Sequence, residues 1–143
     1  MTHRAKQIFS ALTTALTGLT TTATNIKQSR VWAVHQVPAL TVRLGPMLTQ
    51  ETIGQLTDQA LTVLVDIHVK AKEESIDDDV LLIHQEIWKA VMADYSLGLP
   101  FVIDTTITDL SEPVLSGDGE RAGAKATLTI EVKFRHSLAD PGA

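Results

Sequence analysis

The stretch ALTVLVDIHVKA, residues 60–71, constrains the fold most strongly, because apolar side chains recur in it at every second position. In an extended strand, successive side chains point to opposite faces of the sheet. The apolar set comprises Leu61, Val63, Val65, Ile67 and Val69. The other set comprises Thr62, Leu64, Asp66, His68 and Lys70. The stretch therefore predicts a strand with one buried face and one mostly polar face.

Other segments predict further strands. The run AKATLTIEVKFRH (124–136) alternates again, and the glycine-rich connector GDGERAGA (117–124) joins it to the extended run 101–116, a pattern typical of a long β-hairpin. Upstream, residues 39–44 form a predicted strand that starts after Pro38, with a shorter strand at 31–34. The polar residues 20–30 predict a loop. Residues 45–58 predict an extended loop or the end of a hairpin.

The N-terminal segment predicts an amphipathic helix, because its apolar residues recur every three or four positions. These residues are Ile8, Leu12, Leu16 and Leu19. Gly18 suits the end of such a helix. The basic, then apolar start superficially resembles a secretory signal, but threonines interrupt the apolar run, which favours the helix. No segment reaches the roughly 20 consecutive apolar residues that a membrane span requires.

The acidic stretch SIDDDVLLIHQEIWKAVMAD, residues 75–94, suits either a metal site or the start of a second helix. Ser75 fits an N-cap, and three aspartates then fill the first turn, where the helix dipole favours negative charge. His84 has no carboxylate three or four residues away, and Asp77 would lie about 10 Å from it along the axis, too far to share an ion. We therefore interpret the aspartates as capping residues. The apolar stripe comprises Ile76, Val80, Ile83, Ile87 and Val91.

Together these elements predict a single α+β domain covering residues 1–143, with an ordered core at about 5–136 and a frayed tail. The predicted order of the elements is helix, strand, strand, helix, strand, strand. We expect a mostly antiparallel sheet of four or five strands with two helices packed on one face, because strictly alternating strands have only one buried side.

Asp66 and His68 are the best candidates for chemistry, because residues two apart on a strand project from the same face. A metal site or a His–Asp general base would fit there, and would make the chain a small α+β enzyme or ligand-binding module. If this strand neighbours the last one, however, three charged residues share its polar face, and cross-strand charge pairs explain the composition. Those residues are Glu131, Lys133 and Arg135. We favour the charge pairs.

The rest of the sequence contains no motif that is typical of an enzyme. The chain has no cysteine, so thiol nucleophiles and thiolate metal sites are excluded. It has no G-x-S-x-G motif, and GDGERAG lacks the spacing of a phosphate-binding loop. The net charge of −5 argues against nonspecific nucleic-acid binding. We predict no catalytic residue, no metal and no cofactor, while a metal site built from distant segments remains an open alternative.

The order and lengths of these elements resemble those of the tail terminator, or tail-completion, proteins of long-tailed bacteriophages. The resemblance covers residues 5–135: the amphipathic helix, the proline-led strand VPALTVRLG, the alternating strand LTVLVDIHVKA, the acidic-capped helix and the closing hairpin 108–136. It rests on this order and on no invariant motif.

The resemblance implies a virion structural protein without catalytic activity. Six copies would form a ring on the head-proximal end of the finished tail tube, stop its polymerisation and offer the head a docking surface. The implied partners are further copies of the chain, the tail tube protein and a neck or connector protein. DNA would only pass through the channel, which an acidic balance suits, and no membrane is involved. The protein would occupy the host cytoplasm during assembly and the virion tail afterwards; the alternative is another tail-tube or neck component.

Six residues in the two long predicted loops are expected to be exposed, and they are our candidate contacts to the tube or the head-side partner. The predicted apolar anchors are Met47, Leu48 and Ile53, although these side chains would equally suit the protein's own core. The predicted polar contacts at the tip of the closing hairpin are Asp118, Glu120 and Arg121.

Overall fold

The described residues form two helices and six strands, which confirms the predicted α+β class. The structure, a computed structural model, describes residues 2–23, 26–28, 37–70, 75–116 and 123–143. The elements are α1 (Arg4–Leu16), β1 (Ile26–Gln28), β2 (Ala39–Ile53), β3 (Leu56–Lys70), α2 (Ile76–Met92), β4 (Val102–Leu110), β5 (Val114–Ser116) and β6 (Gly123–Ser137). The predicted count of four or five strands is wrong, because β1 and β5 are additional short strands.

All six strands belong to one sheet in the order β1-β2-β3-β6-β4, with β5 also pairing with β6. The strands β3 and β6 pair antiparallel along their full lengths, so the condition that the alternating strand neighbours the last strand is met. The β1–β2 pair is parallel. The remaining pairs are antiparallel, as predicted.

The strand β1 corrects the prediction of a loop at residues 20–30. Its three residues pair in parallel with Leu40–Val42 of β2. Three residues are too few to display a period of two, and the pairing comes from a distant segment, so local sequence gave no signal for it. The strand predicted at 31–34 lies outside the described residues.

Residues 45–58 are not an extended loop but the far half of a β-hairpin, the second of the two predicted forms. The strand β2 continues to Ile53, and β3 begins at Leu56 after a turn in which Gly54 has a φ of +59°. Irregularities in register between Leu44 and Met47, and between Thr49 and Glu51, interrupt the alternation of β2. Such bulges hide a strand from a periodicity test, and they also tolerate a proline within it, here Pro46.

The core joins one face of the sheet to both helices. The predicted apolar sets of β3 and β6 are buried, and the stripes of α1 and α2 belong to the same hydrophobic cluster. Burying each such side chain contributes roughly 1.5–3 kcal/mol. The fully buried members with the largest side chains include Phe134, Ile8, Leu12, Leu16, Leu61, Ile67, Ile83, Ile87, Leu128 and Ile130.

The two helices begin and end near the predicted residues. The helix α1 ends at Leu16, and Gly18 follows with a φ of +90°. Its N-cap is His3, whose Nδ1 accepts the Ala5 N–H at 3.0 Å. Ser75 occupies the N-cap position of α2 without a side-chain capping hydrogen bond, and the three aspartates fill the first turn as predicted. Within the described ranges, neither helix is long and apolar enough to cross a membrane.

The C-terminal residues 137–143 differ from the predicted frayed tail. Ser137 and Asp140 form an isolated β-bridge, and the Arg4 N–H donates to the Pro141 carbonyl at 3.0 Å. Gly142 is buried. The tail therefore packs beside the start of α1, a contact between the two chain ends that local sequence does not encode.

Candidate functional site

The sheet face opposite the core carries a polar cluster centred on Asp66. The Asp66 side chain is only 8% exposed. Its Oδ2 accepts from Arg43 Nε at 3.1 Å and from Thr41 Oγ1 at 3.4 Å. Its Oδ1 accepts from Thr127 Oγ1 at 2.7 Å. Because the donors come from β2 and β6, both neighbours of β3 hold the carboxylate.

Hydrogen bonds and charge keep Asp66 ionised. Burial alone would raise the pKa of Asp66, but the hydrogen bonds from Thr127 and Arg43 and the positive charges of Arg43 and Lys125 outweigh it. The pKa of Asp66 therefore lies below its ordinary value of 3.8. The carboxylate is an ion at neutral pH, satisfied by donors on both sides.

His68 follows Asp66 on the same face, but its hydrogen bond goes to a hydroxyl. His68 Nε2 lies 3.0 Å from Thr41 Oγ1. Burial lowers the pKa of His68, and Lys125 lowers it further, against an opposing effect of Asp66. In a His–Asp general base, the carboxylate accepts the proton of the other ring nitrogen and orients the ring. Here the contacts of Asp66 are with Arg43 and two threonines.

Cross-strand charge pairs do occur on the polar face, but of the three residues that we predicted to form them, only Arg135 does so among the described residues. Besides Arg43–Asp66, Arg135 forms a two-point pair with Asp58, through Nε–Oδ1 at 2.6 Å and Nη2–Oδ2 at 3.0 Å. Glu131 lies on the predicted face, directly opposite Thr62. The sequence argument missed Arg43. Because Arg43 follows the apolar Val42, the alternation of side chains places it on the polar face of β2. Its contact with Asp66 could not be predicted without the register between β2 and β3.

We predict that the free energy of unfolding falls as the pH is lowered below about 6.5, the ordinary pKa of histidine. The pKa of folded His68 is depressed, so the unfolded chain binds more protons and the contribution of the neutral ring is lost in acid. Asp66 adds a second loss below about pH 3.8, since its folded pKa is depressed too. Denaturant titrations at pH 8, 6, 5 and 4 measure the first loss, and titrations at about pH 3 and about pH 2 measure the second. The His68→Gln variant should lack the first loss; an unchanged profile contradicts this account.

The acidic start of α2 has the geometry of a helix terminus. The aspartates Asp77 and Asp78 are exposed, and the ring of His84 lies 5.8 Å from that of Trp88, centroid to centroid. No group of three metal-ligating side chains occurs anywhere in the part of the chain that the structure describes. The three aspartates lie in the first turn of α2, where the helix dipole favours negative charge, as the capping interpretation expects.

The three predicted apolar anchors are all exposed, so the alternative that they fill the protein's own core is wrong. The exposed fractions are 39% for Met47, 66% for Leu48 and 60% for Ile53. All three lie in the far half of the β2–β3 hairpin.

The hairpin nevertheless divides these anchors between two faces. Met47 pairs with Leu61, a core residue, and so points to the helix side of the sheet. Leu48 pairs with Ala60, which shares its face with Asp66. Ile53 pairs with Leu56, which also belongs to that face. The bulge between Leu44 and Met47 shifts the alternation.

We define the hairpin strip as Leu48, Ile53 and Leu56, three exposed apolar side chains on the outer face of the hairpin. The sequence argument missed Leu56, because it assigned this residue to a loop without faces. Beside the strip, Asp58 and Arg135 form their ion pair. On the same face, Glu51 pairs with Asp58 between Leu48 and the Ile53–Leu56 pair. The strip therefore combines apolar and charged side chains, as protein contact surfaces do.

The hairpin also has an open edge. Residues 47–53 pair with β3 on one side, and no strand among the described residues covers their other side. An exposed strand edge with apolar side chains readily pairs with another chain. The other three predicted contacts, Asp118, Glu120 and Arg121, lie outside the described residues.

Comparison with protein-family models gives no match for this chain, and comparison with curated proteins gives none either.

Proposed function

We propose that the chain is a tail terminator of a long-tailed bacteriophage. Six copies close into a ring on the head-proximal end of the tail tube, stop its polymerisation and provide the docking surface for the head. Its partners are the tube protein, a neck or connector protein and its own copies. The ring acts through shape and contact, and DNA passes through it.

The observation that carries this proposal is the hairpin strip. The chain buries a complete apolar core and still presents Leu48, Ile53 and Leu56 together on one face of a regular hairpin. Several large apolar side chains exposed on one face of a folded domain are typical of a contact with another molecule. A hairpin also suits a tube end, because its two paired strands hold the three side chains at fixed positions, with the charged pair Glu51 and Asp58 between them.

The outer face of the sheet supports passage of DNA without tight binding. Acidic and basic side chains interleave on the described part of this face. The acidic residues are Glu51, Asp58, Asp66, Asp104, Asp109 and Glu131, and the basic residues are Lys27, Arg43, Lys70, Lys125, Lys133 and Arg135. Proteins grip duplex DNA through a surplus of cations, and the described residues of this face carry none.

A tube-growth assay tests the proposal. Purified tube protein is polymerised with and without this chain, and tube lengths are measured by electron microscopy. We expect stoichiometric amounts of the chain to halt elongation at one end and to leave the other end unchanged. Tubes that grow to the same lengths in its presence would reject the proposal.

The same experiment separates a terminator from a tube component. The chain is incubated alone at the same concentration. A terminator stays monomeric or forms a closed ring, whereas a tube component grows into open filaments. Filaments of the chain alone would favour the alternative.

A further inference from the structure

The helix α2 carries a second apolar row that does not face the core. Asp77, Leu81, His84 and Trp88 follow one another at intervals of four, three and four residues, which places them on one side of a helix. Leu81 and Trp88 are exposed, and the ring of His84 lies beside that of Trp88, tilted by 48°. We call these four residues the α2 ridge. An exposed tryptophan in an apolar row is a common centre of a protein interface.

A groove of complementary character lies between α1 and the hairpin. It has a volume of about 290 Å³. Its lining is His3, Ala5, Lys6, Phe9, Leu44, Met47 and Leu61. We call it the α1 groove. Its lining is mostly apolar and includes Lys6, so it suits an aromatic side chain from a surface that also carries an acidic residue.

The ridge and the groove lie towards opposite edges of the sheet. On α2, Glu86 accepts hydrogen bonds from Thr21 N–H at 3.1 Å and Thr21 Oγ1 at 2.9 Å, so this side of α2 faces the segment after α1. Trp88 follows two residues later, roughly 200° around the helix, and points away from α1. Since α2 packs on β3, β6 and β4, the ridge lies on the β4 side.

The groove faces the other edge. Thr13 of α1 accepts a hydrogen bond from Gln28 of β1 at 2.7 Å, so this side of α1 faces β1, at the opposite end of the sheet from β4. Lys6 precedes Thr13 by seven residues and lies on the same side of the helix. Two different surfaces at opposite ends of one molecule produce head-to-tail contacts, which close into a ring when the rotation allows.

We infer that the α2 ridge of one copy docks into the α1 groove of the next copy, with Trp88 in the groove and Asp77 beside Lys6. Charge complementarity identifies the occupant, because the ridge begins with Asp77 and the groove lining includes Lys6. Among the described residues, neither Lys6 nor Asp77 forms an ion pair within the chain. The inference rests on the proposed function, since it supplies the contact between neighbouring subunits of the ring.

Charge reversal tests the contact. The variants Lys6→Glu and Asp77→Lys are prepared singly and together in the full chain, and association is measured by native mass spectrometry and on tube ends. Each single variant places like charges opposite each other and should associate at least tenfold more weakly. The double variant should associate as strongly as the wild type, because opposite charges face each other again. A mixture of the two single variants should also associate, with the two kinds alternating and three of each in a ring of six.

Adjacent leucines supply the matched control. Leu81 is 57% exposed on the ridge, and Leu82 is 48% exposed about 100° away around the helix. We expect Leu81→Ala to weaken association at least tenfold and Leu82→Ala to change it less than twofold. Equal effects of the two, or single charge variants that associate like the wild type, would overturn the inference.

The outcomes separate this contact from the proposed function. If the charge variants still form rings that cap tubes, the contact is wrong and the terminator proposal stands. If charge reversal breaks and the double variant restores an oligomer that does not cap tubes, the contact stands and the terminator proposal fails. If Lys6→Glu impairs capping and Asp77→Lys does not rescue it, the groove holds a different partner and the inference is overturned.

Discussion

Replacing both Leu48 and Ile53 with aspartate abolishes tube capping while the domain stays folded. These side chains are exposed in the isolated chain, so their replacement removes no core contact, and exposed substitutions usually change the free energy of unfolding by no more than about 0.5 kcal/mol. At an interface, each central apolar residue contributes about 2 kcal/mol or more, and two buried carboxylates add a desolvation penalty. The affinity for the tube end should fall by at least about 100-fold.

The matched control is the double variant Leu82→Asp and Tyr95→Asp. Both side chains are exposed and apolar or aromatic, and neither belongs to the hairpin strip or to the α2 ridge. This control adds two negative charges, as the Leu48 and Ile53 variant does. We expect this control to cap tubes like the wild type. Capping by the Leu48 and Ile53 variant at wild-type concentrations would show that the hairpin strip is not the contact with the tube.

Replacing Phe134 with alanine produces the largest loss of stability. Phe134 is fully buried in β6, between its neighbours Val102 on β4 and Gln59 on β3. Removing a buried phenylalanine side chain costs about 3–5 kcal/mol, because the cavity that remains loses both hydrophobic burial and packing contacts. A domain of this size has about 5–15 kcal/mol in total, so the variant should be close to unfolding at 37 °C.

Urea denaturation followed by circular dichroism measures this loss. The matched control is Leu115→Ala, which removes an apolar side chain that is exposed on β5, and should change the free energy of unfolding by about 0.5 kcal/mol or less. A loss below about 1 kcal/mol for Phe134→Ala would contradict the placement of β6 at the centre of the core.

The sequence predicted those elements in which local pattern and tertiary environment agree. The alternation in β3 and the stripe of α2 each place apolar residues at the period that the final core requires, so Val65 and Ile83 are buried as expected. The sequence pattern did not predict strands that depend on pairing with another segment of the chain. The strand β1 is defined by Leu40–Val42, and the far half of β2 is defined by β3 across two register shifts.

The candidate site shows the same division. Asp66 and His68 were recognised as sharing a face, but the carboxylate's donors, Arg43 and Thr127, become neighbours only when three strands align. For the hairpin, exposure of Leu48 and Ile53 was one of two alternatives that the sequence left open, and the separation of Met47 onto the other face depends on one bulge. A bulge moves a side chain from one surface to the other without changing composition, so no count of residue types finds it.

The number of copies bound to each finished tube tests the central claim most directly. Tubes of different lengths are capped with isotopically labelled chain, washed and analysed for the ratio of label to tube ends, with electron microscopy to locate the density. The terminator proposal predicts six copies per tube at one end, whatever the tube length. Copies that increase in proportion to tube length, or tubes that carry none, would contradict it.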